Sequence, residues 1–167
     1  MSTTKYRTHC KPYTKVKCTV GFYCVTGVDT PEPCPIGTYG NSSGLRRVEE
    51  CVPCRPGYFC DGFGLSEPRG MCDPGFYCLE GSYTSAPRGG DLDDASATAI
   101  GGPCPPGGYC PIGSAKPTAC PIGFYNNATG ASSAADCAPC PPGSYCEGSS
   151  NPFPTGPCSA GYVCVCV

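Results

Sequence analysis

The eleven residues from Cys34 to Gly44, Cys-Pro-Ile-Gly-Thr-Tyr-Gly-Asn-Ser-Ser-Gly, return as Cys-Pro-Ile-Gly-Phe-Tyr-Asn-Asn-Ala-Thr-Gly from Cys120 to Gly130, an offset of 86 residues. Sliding the chain by that offset superposes, without a gap, Cys18 on Cys104, Cys24 on Cys110, Cys34 on Cys120 and Cys51 on Cys137. The same shift places Cys54 on Cys140, Cys60 on Cys146, Cys72 on Cys158 and Cys78 on Cys164. Self-similarity at a fixed period marks an array of small units, each of which covers its neighbour. The chain divides accordingly into an N-terminal segment 1–17, a cysteine-rich unit 18–78, a linker 79–103, a second unit 104–164 and a C-terminal junction 165–167. Only Cys10 and Cys166 stand outside the repeat.

Leu, Ile, Val and Phe together number 23 of 167 residues, and Trp is absent. So few large apolar side chains cannot bury enough surface to offset the conformational entropy of ordering the chain. Low hydrophobicity with a high net charge would indicate disorder, but the net charge is only −2 and there are 18 cysteines. An even cysteine count among 24 Gly and 21 Pro reads as a disulfide framework made in an oxidising compartment, extracellular or at the cell surface. Met1 to Cys10 has no apolar h-region and does not read as a signal peptide, so a mature or partial ectodomain is expected, and no apolar run reaches the roughly 20 residues that cross a bilayer. The near-neutral charge argues against a nucleic-acid partner, which would select a basic stripe. Lys5, Arg7, Lys11, Lys15 and Lys17 read as a solvated basic segment.

The first unit opens with Cys18-Thr-Val-Gly-Phe-Tyr-Cys24, and the pattern Cys-x-x-Gly-x-x-Cys begins again at Cys54, Cys72, Cys104, Cys140 and Cys158. Versions at Cys34 and Cys120 lack the closing cysteine. A Pro at one turn position fixes φ near −65°, and the Gly after it accepts the positive φ of a type II turn. Gly21, Gly57, Gly75, Gly107, Gly143 and Gly161 are therefore expected at turns, each followed by a short extended segment. Tyr23, Phe59, Tyr77, Tyr109 and Tyr145 directly precede a cysteine, and their rings are expected to cover a neighbouring disulfide rather than form a ligand-stacking ladder. The sixteen residues between Cys34 and Cys51, and between Cys120 and Cys137, suffice for a small hairpin. Gly or Pro interrupts nearly every window, so helix is expected almost nowhere. The fold class that follows is a small disulfide-rich, irregular β array of two tandem units, elongated, with all sixteen repeat cysteines in disulfides whose pairing the spacing leaves open. The linker, with its small and polar residues, is expected to be an extended or flexible connection.

Cys-Pro-x-Gly-x-Tyr, a Gly-containing stretch and then Cys-x-Pro-Cys-x-Pro-Gly-x-x-Cys, found from Cys34 to Cys60 and from Cys120 to Cys146, resembles the ephrin-receptor-like cysteine-rich repeat. Such repeats are similar in style to EGF-like and TNF-receptor-like modules. The resemblance implies an extracellular rod-like array without catalysis, found in receptors, matrix proteins and surface appendages. The additional hexads and the unmatched Cys10 and Cys166 depart from the family pattern.

Asn41-Ser-Ser and Asn127-Ala-Thr are acceptors for N-glycosylation and occupy the same place in both units. Cys51-Val-Pro-Cys54 and Cys137-Ala-Pro-Cys140 have the gap of zinc knuckles and redox pairs, but the chain holds one histidine and no βαβ pattern, so structural disulfides are the expected reading. Asp91, Asp93 and Asp94 lack the Gly and distal Glu of a calcium loop. His9 lies outside the repeats, and Glu49, Glu50 and Asp136 read as solvated charge; no catalytic residue, cofactor or metal is expected. Two periods make 172 residues against a chain of 167, so a second molecule placed head to tail continues the repeat nearly in phase. That arrangement would bring Cys10 of one copy near Cys166 of the next, a heterologous junction of the kind that builds filaments; the alternative is that each of the two pairs within its own chain. These features point to a glycosylated extracellular structural protein, a building block of a fibre, appendage or matrix, whose partners are other copies of itself or other extracellular proteins. A ligand-binding ectodomain is the alternative, and an enzyme is not expected.

Overall fold

Each Pro-Gly or x-Gly step in the hexads is built to reverse the chain, and in the computed structural model, which describes residues 16–88 and 100–164, it does so eight times. In every case the residue after the glycine donates its N–H to the carbonyl three positions back, as Tyr58 does to Arg55 at 3.1 Å and Phe76 to Asp73 at 3.1 Å. The glycines at these turns, including Gly37 and Gly123 of the two incomplete hexads, have φ between 79° and 86°. The turn expected from the sequence is therefore the turn observed, and it defines eight rungs that begin at Cys18, Cys34, Cys54, Cys72, Cys104, Cys120, Cys140 and Cys158.

After each of the first seven turns, two or three extended residues pair with those just before the next rung. The seven hairpins are antiparallel: β1 (Phe22–Tyr23) with β2 (Glu32–Pro33), β3 (Thr38–Tyr39) with β4 (Val52–Pro53), and β5 (Tyr58–Phe59) with β6 (Gly70–Met71). There follow β7 (Phe76–Cys78) with β8 (Gly101–Pro103), β9 (Gly108–Tyr109) with β10 (Thr118–Ala119), β11 (Phe124–Tyr125) with β12 (Ala138–Pro139), and β13 (Ser144–Tyr145) with β14 (Gly156–Pro157). The helical content of the described residues is two single 3₁₀ turns, Val48–Glu50 and Ala134–Asp136.

The disulfides are local. In the six complete hexads the two cysteines bond to each other, Cys18–Cys24, Cys54–Cys60, Cys72–Cys78, Cys104–Cys110, Cys140–Cys146 and Cys158–Cys164, each with a sequence separation of 6. The incomplete hexads bond forward, Cys34–Cys51 and Cys120–Cys137, with a separation of 17. Closing such loops is worth about 2 kcal/mol for the short ones and about 3 kcal/mol for the long ones in the chain-entropy model. None of these bridges joins one rung to a rung beyond the next, so they cannot hold the array together.

Backbone hydrogen bonds do that. From the first rung, the Gly21 N–H donates to Gly40 O at 2.8 Å and the Cys24 N–H to Leu45 O at 2.9 Å, while the Gly44 N–H returns to Cys18 O at 2.8 Å. The same three bonds recur from rung to rung as far as the fifth, where Gly107 donates to Asn126 O, Cys110 to Ala131 O and Gly130 to Cys104 O. They run on between the fourth and fifth rungs, through Gly75 to Cys110 O at 2.8 Å, Cys78 to Ser114 O at 3.0 Å and Gly113 to Cys72 O at 2.8 Å. The stretch 79–103, expected to be an extended or flexible connection, enters this ladder at both ends. Ser82 and Pro87 are fully buried, and Ile100 accepts from the Leu79 N–H at 2.9 Å. Apart from Ala131 and Pro87, the buried apolar side chains among the described residues are cysteines, so a column of cystine takes the place of an aliphatic core.

Rungs also meet at one remove. A Cβ added to Gly57 would lie 2.5 Å from the Gly113 carbonyl oxygen, one on Gly37 2.7 Å from that of Gly81, and one on Gly75 2.6 Å from that of Gly130. The turn glycine is thus required twice, for its positive φ and for the carbonyl packed on its Cα. Gly57→Ala is expected to destabilise the oxidised protein at least twice as much as Gly148→Ala. At Gly148 φ is 75° but no atom lies within 4 Å, leaving only the positive-φ cost of about 1 kcal/mol. Thermal unfolding of the two variants checks this; equal losses would show that the carbonyl contact contributes nothing.

Candidate functional site

Two surface loops, 40–51 and 126–137, carry most of the polar chemistry that the two units share. Each is closed by a long-separation disulfide and ends in a 3₁₀ turn. Asn41 and Asn127, the sequence-predicted glycan acceptors, are exposed at equivalent points near the start of these loops. The residues just before them are buried, because neighbouring side chains in extended backbone point to opposite faces.

In the second loop that buried neighbour is Asn126, which stands where the complete hexads have their closing cysteine. Its Nδ2 donates to Gly108 O at 3.0 Å, its Oδ1 accepts from the Ala128 N–H at 3.0 Å, and its backbone bonds to both adjacent rungs. A side-chain amide here ties position 126 to the preceding rung, where the six complete rungs have a disulfide and the second rung has Gly40. Sequence reasoning noted the missing cysteine but not its substitute. The signal available was an Asn aligned with the cysteine position.

Glu50 and Asp136, read from sequence as solvated charge, do more than sit in water. Asp136 Oδ2 accepts the backbone N–H groups of Ser132 at 2.7 Å and Ser133 at 2.9 Å; Glu50 Oε2 accepts that of Arg46 at 2.6 Å. Positions 46 and 50 are 86 residues before 132 and 136, so an acidic residue at the same register closes both loops. The Ser133 N–H, and then that of Ser132, hold the Asp136 carboxyl below its ordinary value. Elsewhere, the Tyr23 hydroxyl donates to Glu32 Oε2 at 2.6 Å, which raises the phenol pKa, and the Arg55 guanidinium lies 3.9 Å from the centroid of the Tyr58 ring. Arg69 and Asp61 form an exposed ion pair at 3.0 Å.

All sixteen repeat cysteines are oxidised in pairs. In Cys51-Val-Pro-Cys54 the two cysteines belong to different bridges, Cys34–Cys51 and Cys54–Cys60, and the same holds for Cys137 and Cys140. The short gap therefore records the meeting of two loops. Among the described residues no group of His, Cys, Asp and Glu is placed to hold a metal. No helix there is long and apolar enough to cross a membrane. The hexad aromatics have a cross-strand role: the rings of Phe59 and Tyr145 approach Gly70 and Gly156, their partners in register. An aromatic over a strand glycine covers backbone that has no side chain of its own. Cys10, Cys166, His9, Asp91, Asp93 and Asp94 lie outside the described residues. Neither a protein-family model nor a curated protein matches the chain.

Because the folded pKa of Asp136 is depressed, its contribution to the loop is present above the ordinary carboxylate range and is lost as pH falls through the folded value. Hydrogen exchange at the Ser132 and Ser133 amides is expected to accelerate, beyond the intrinsic pH effect, only below that ordinary range. Asp136→Asn is expected to bring the faster exchange at neutral pH. Unchanged protection in the variant would remove the carboxylate from this role.

Proposed function

We propose that this chain is an extracellular structural repeat protein, a glycosylated building block of a fibre, surface appendage or matrix. The observation that carries this reading is the hand-over of the same three backbone hydrogen bonds from each of the first five rungs to the next, including the step across 79–103, which suits a strut of repeated parts. In an array of this type stability is a sum over neighbours, and length can be added without a new core. Eight disulfides with no membrane-spanning helix among the described residues suit an oxidising, extracellular setting. The exposed acceptors Asn41 and Asn127 project from equivalent loops, so glycans there would decorate the strut at one repeat period. The ephrin-receptor-like resemblance of Cys34–Cys60 and Cys120–Cys146 is in keeping with that role, and the chain is proposed to lack catalysis.

A ligand-binding ectodomain is the second reading. It is favoured by the exposed apolar residues at the turn tips and loops, Ile36 at 41%, Phe63 at 65%, Ile122 at 71% and Phe153 at 63%. The two readings separate on native material. A structural block is expected to run as a ladder of multiples without reductant that collapses when reduced, through Cys10 and Cys166, and to lose mass in two steps when N-glycans are removed. Asn41→Gln and Asn127→Gln are each expected to abolish one step. A single unglycosylated monomer band in both lanes would overturn the structural reading as stated and favour the ectodomain.

A further inference from the structure

The ladder has a donor edge and an acceptor edge, and they are left open at opposite ends. Inside the array each turn glycine receives the carbonyl of a loop two rungs on: Gly21 that of Gly64, Gly37 that of Gly81, Gly57 that of Gly113, Gly75 that of Gly130 and Gly107 that of Ser150. The loop residues in this series all have positive φ, from 63° to 79°, and Ser150 is the one non-glycine residue of positive φ among those described. Gly143 and Gly161, the turn glycines of the seventh and eighth rungs, meet no described atom within 4 Å. Gly27 and Gly44, the loop glycines of the first and second rungs, have carbonyls that lie against no turn glycine, yet both already hold φ 87°. Two receptors are open at one end and two preset loops at the other. For Gly123, also open, the corresponding loop would follow the eighth rung and lies outside the described residues.

We propose that the two ends dock on each other, so that the first and second rungs of one copy continue the ladder of another as its ninth and tenth. This rests on the fibre-building reading above and specifies its joint. The Gly27 carbonyl of the incoming copy packs on Gly143 and the Gly44 carbonyl on Gly161. The three bonds made at each of the first five steps then form between copies. The Gly161 N–H donates to Cys24 O, the Cys164 N–H to Val28 O, and the Gly27 N–H to Cys158 O. No backbone acceptor among the described residues meets the Gly27 or Gly161 N–H, as none meets the Gly123 or Gly143 N–H, and the joint supplies one to the first two. The contact is heterologous and does not use the same surface twice, so it propagates. Its occupant is a second copy of this chain because the interior of the chain supplies the matching geometry five times.

The test uses the full chain carrying Cys10→Ser and Cys166→Ser, so that covalent linkage cannot stand in for docking. Sedimentation velocity is expected to show concentration-dependent association. Gly161→Asn, which keeps the turn because Asn tolerates positive φ but adds a Cβ beneath the incoming loop, is expected to weaken association about tenfold or more. Gly143→Asn is expected to do the same. Gly148→Asn, the same change at another open glycine of positive φ that receives no carbonyl in the joint, is expected to leave it unchanged, and an absence of free thiols checks that each variant is folded. Independently of any variant, amide exchange at Gly27 and Gly161 is expected to slow as concentration rises. Fibres that persist in Gly161→Asn with unprotected Gly27 and Gly161 amides would overturn this joint while leaving the fibre reading intact. A parent chain that stays monomeric at every concentration overturns the joint. If the chain with its native cysteines then also gives no ladder on a non-reducing gel, the fibre reading falls as well.

Discussion

The contact on which the rest of the structure depends is a carbonyl oxygen resting on a glycine Cα, as Gly113 O rests on Gly57 and Gly130 O on Gly75. It requires left-handed backbone on both sides, since the turn glycine has φ near 80° and so do most of the loop residues whose carbonyls it receives. No side chain fits between them. The chain can therefore stack its first six rungs closely enough for three backbone hydrogen bonds per step, and the high glycine content, which would normally make it floppy, becomes the condition for order.

This division of labour explains why so short an inventory of apolar side chains suffices. The disulfides shape each rung, at separations of 6 or 17, and remove local freedom from the unfolded chain. The hydrogen bonds and glycine contacts join rung to rung. Burial is supplied by sulfur, with Cys34, Cys54, Cys60, Cys72, Cys78, Cys104, Cys110 and Cys120 all at 0% exposure. A column one cystine wide needs no second layer, and so the sequence can leave Ile122 and Phe153 on the surface without opening a core.

Much of this was legible in the residues themselves. The 86-residue period, the turn glycines, the scarcity of helix and the oxidation of the repeat cysteines all follow from spacing and from the chemistry of Pro and Gly. Three features did not. The pairing could not be chosen among 105 possibilities per unit by counting. The ladder bonds were hidden because they are made by backbone groups, whose N–H and C=O are the same at every residue; nothing in the composition of 79–103 signals that Ile100 and Gly101 will pair across it. Glu50 and Asp136 stay at the surface, as a charged residue before cysteine pairs usually does, but only the coincidence of both at one register betrays the amide contact they share.

The pairing, once seen, has a physical logic that bears on how the chain folds. Cys54 lies three residues from Cys51 and six from Cys60, and loop closure alone would favour the nearer partner. Cys51 is withheld from it by the backbone between them. Val52–Pro53 is extended and paired with Thr38–Tyr39, which carries Cys51 back toward Cys34 and aims Cys54 into the next turn. The type II turn at Arg55 to Tyr58 then reverses the chain and returns Cys60 to Cys54. The turn sets Cys60 beside Cys54, and the extended Val52–Pro53 sets Cys51 beside Cys34. Every bridge closes within its own rung, at a separation of 6 or 17, so a longer array of the same parts would lengthen no disulfide loop.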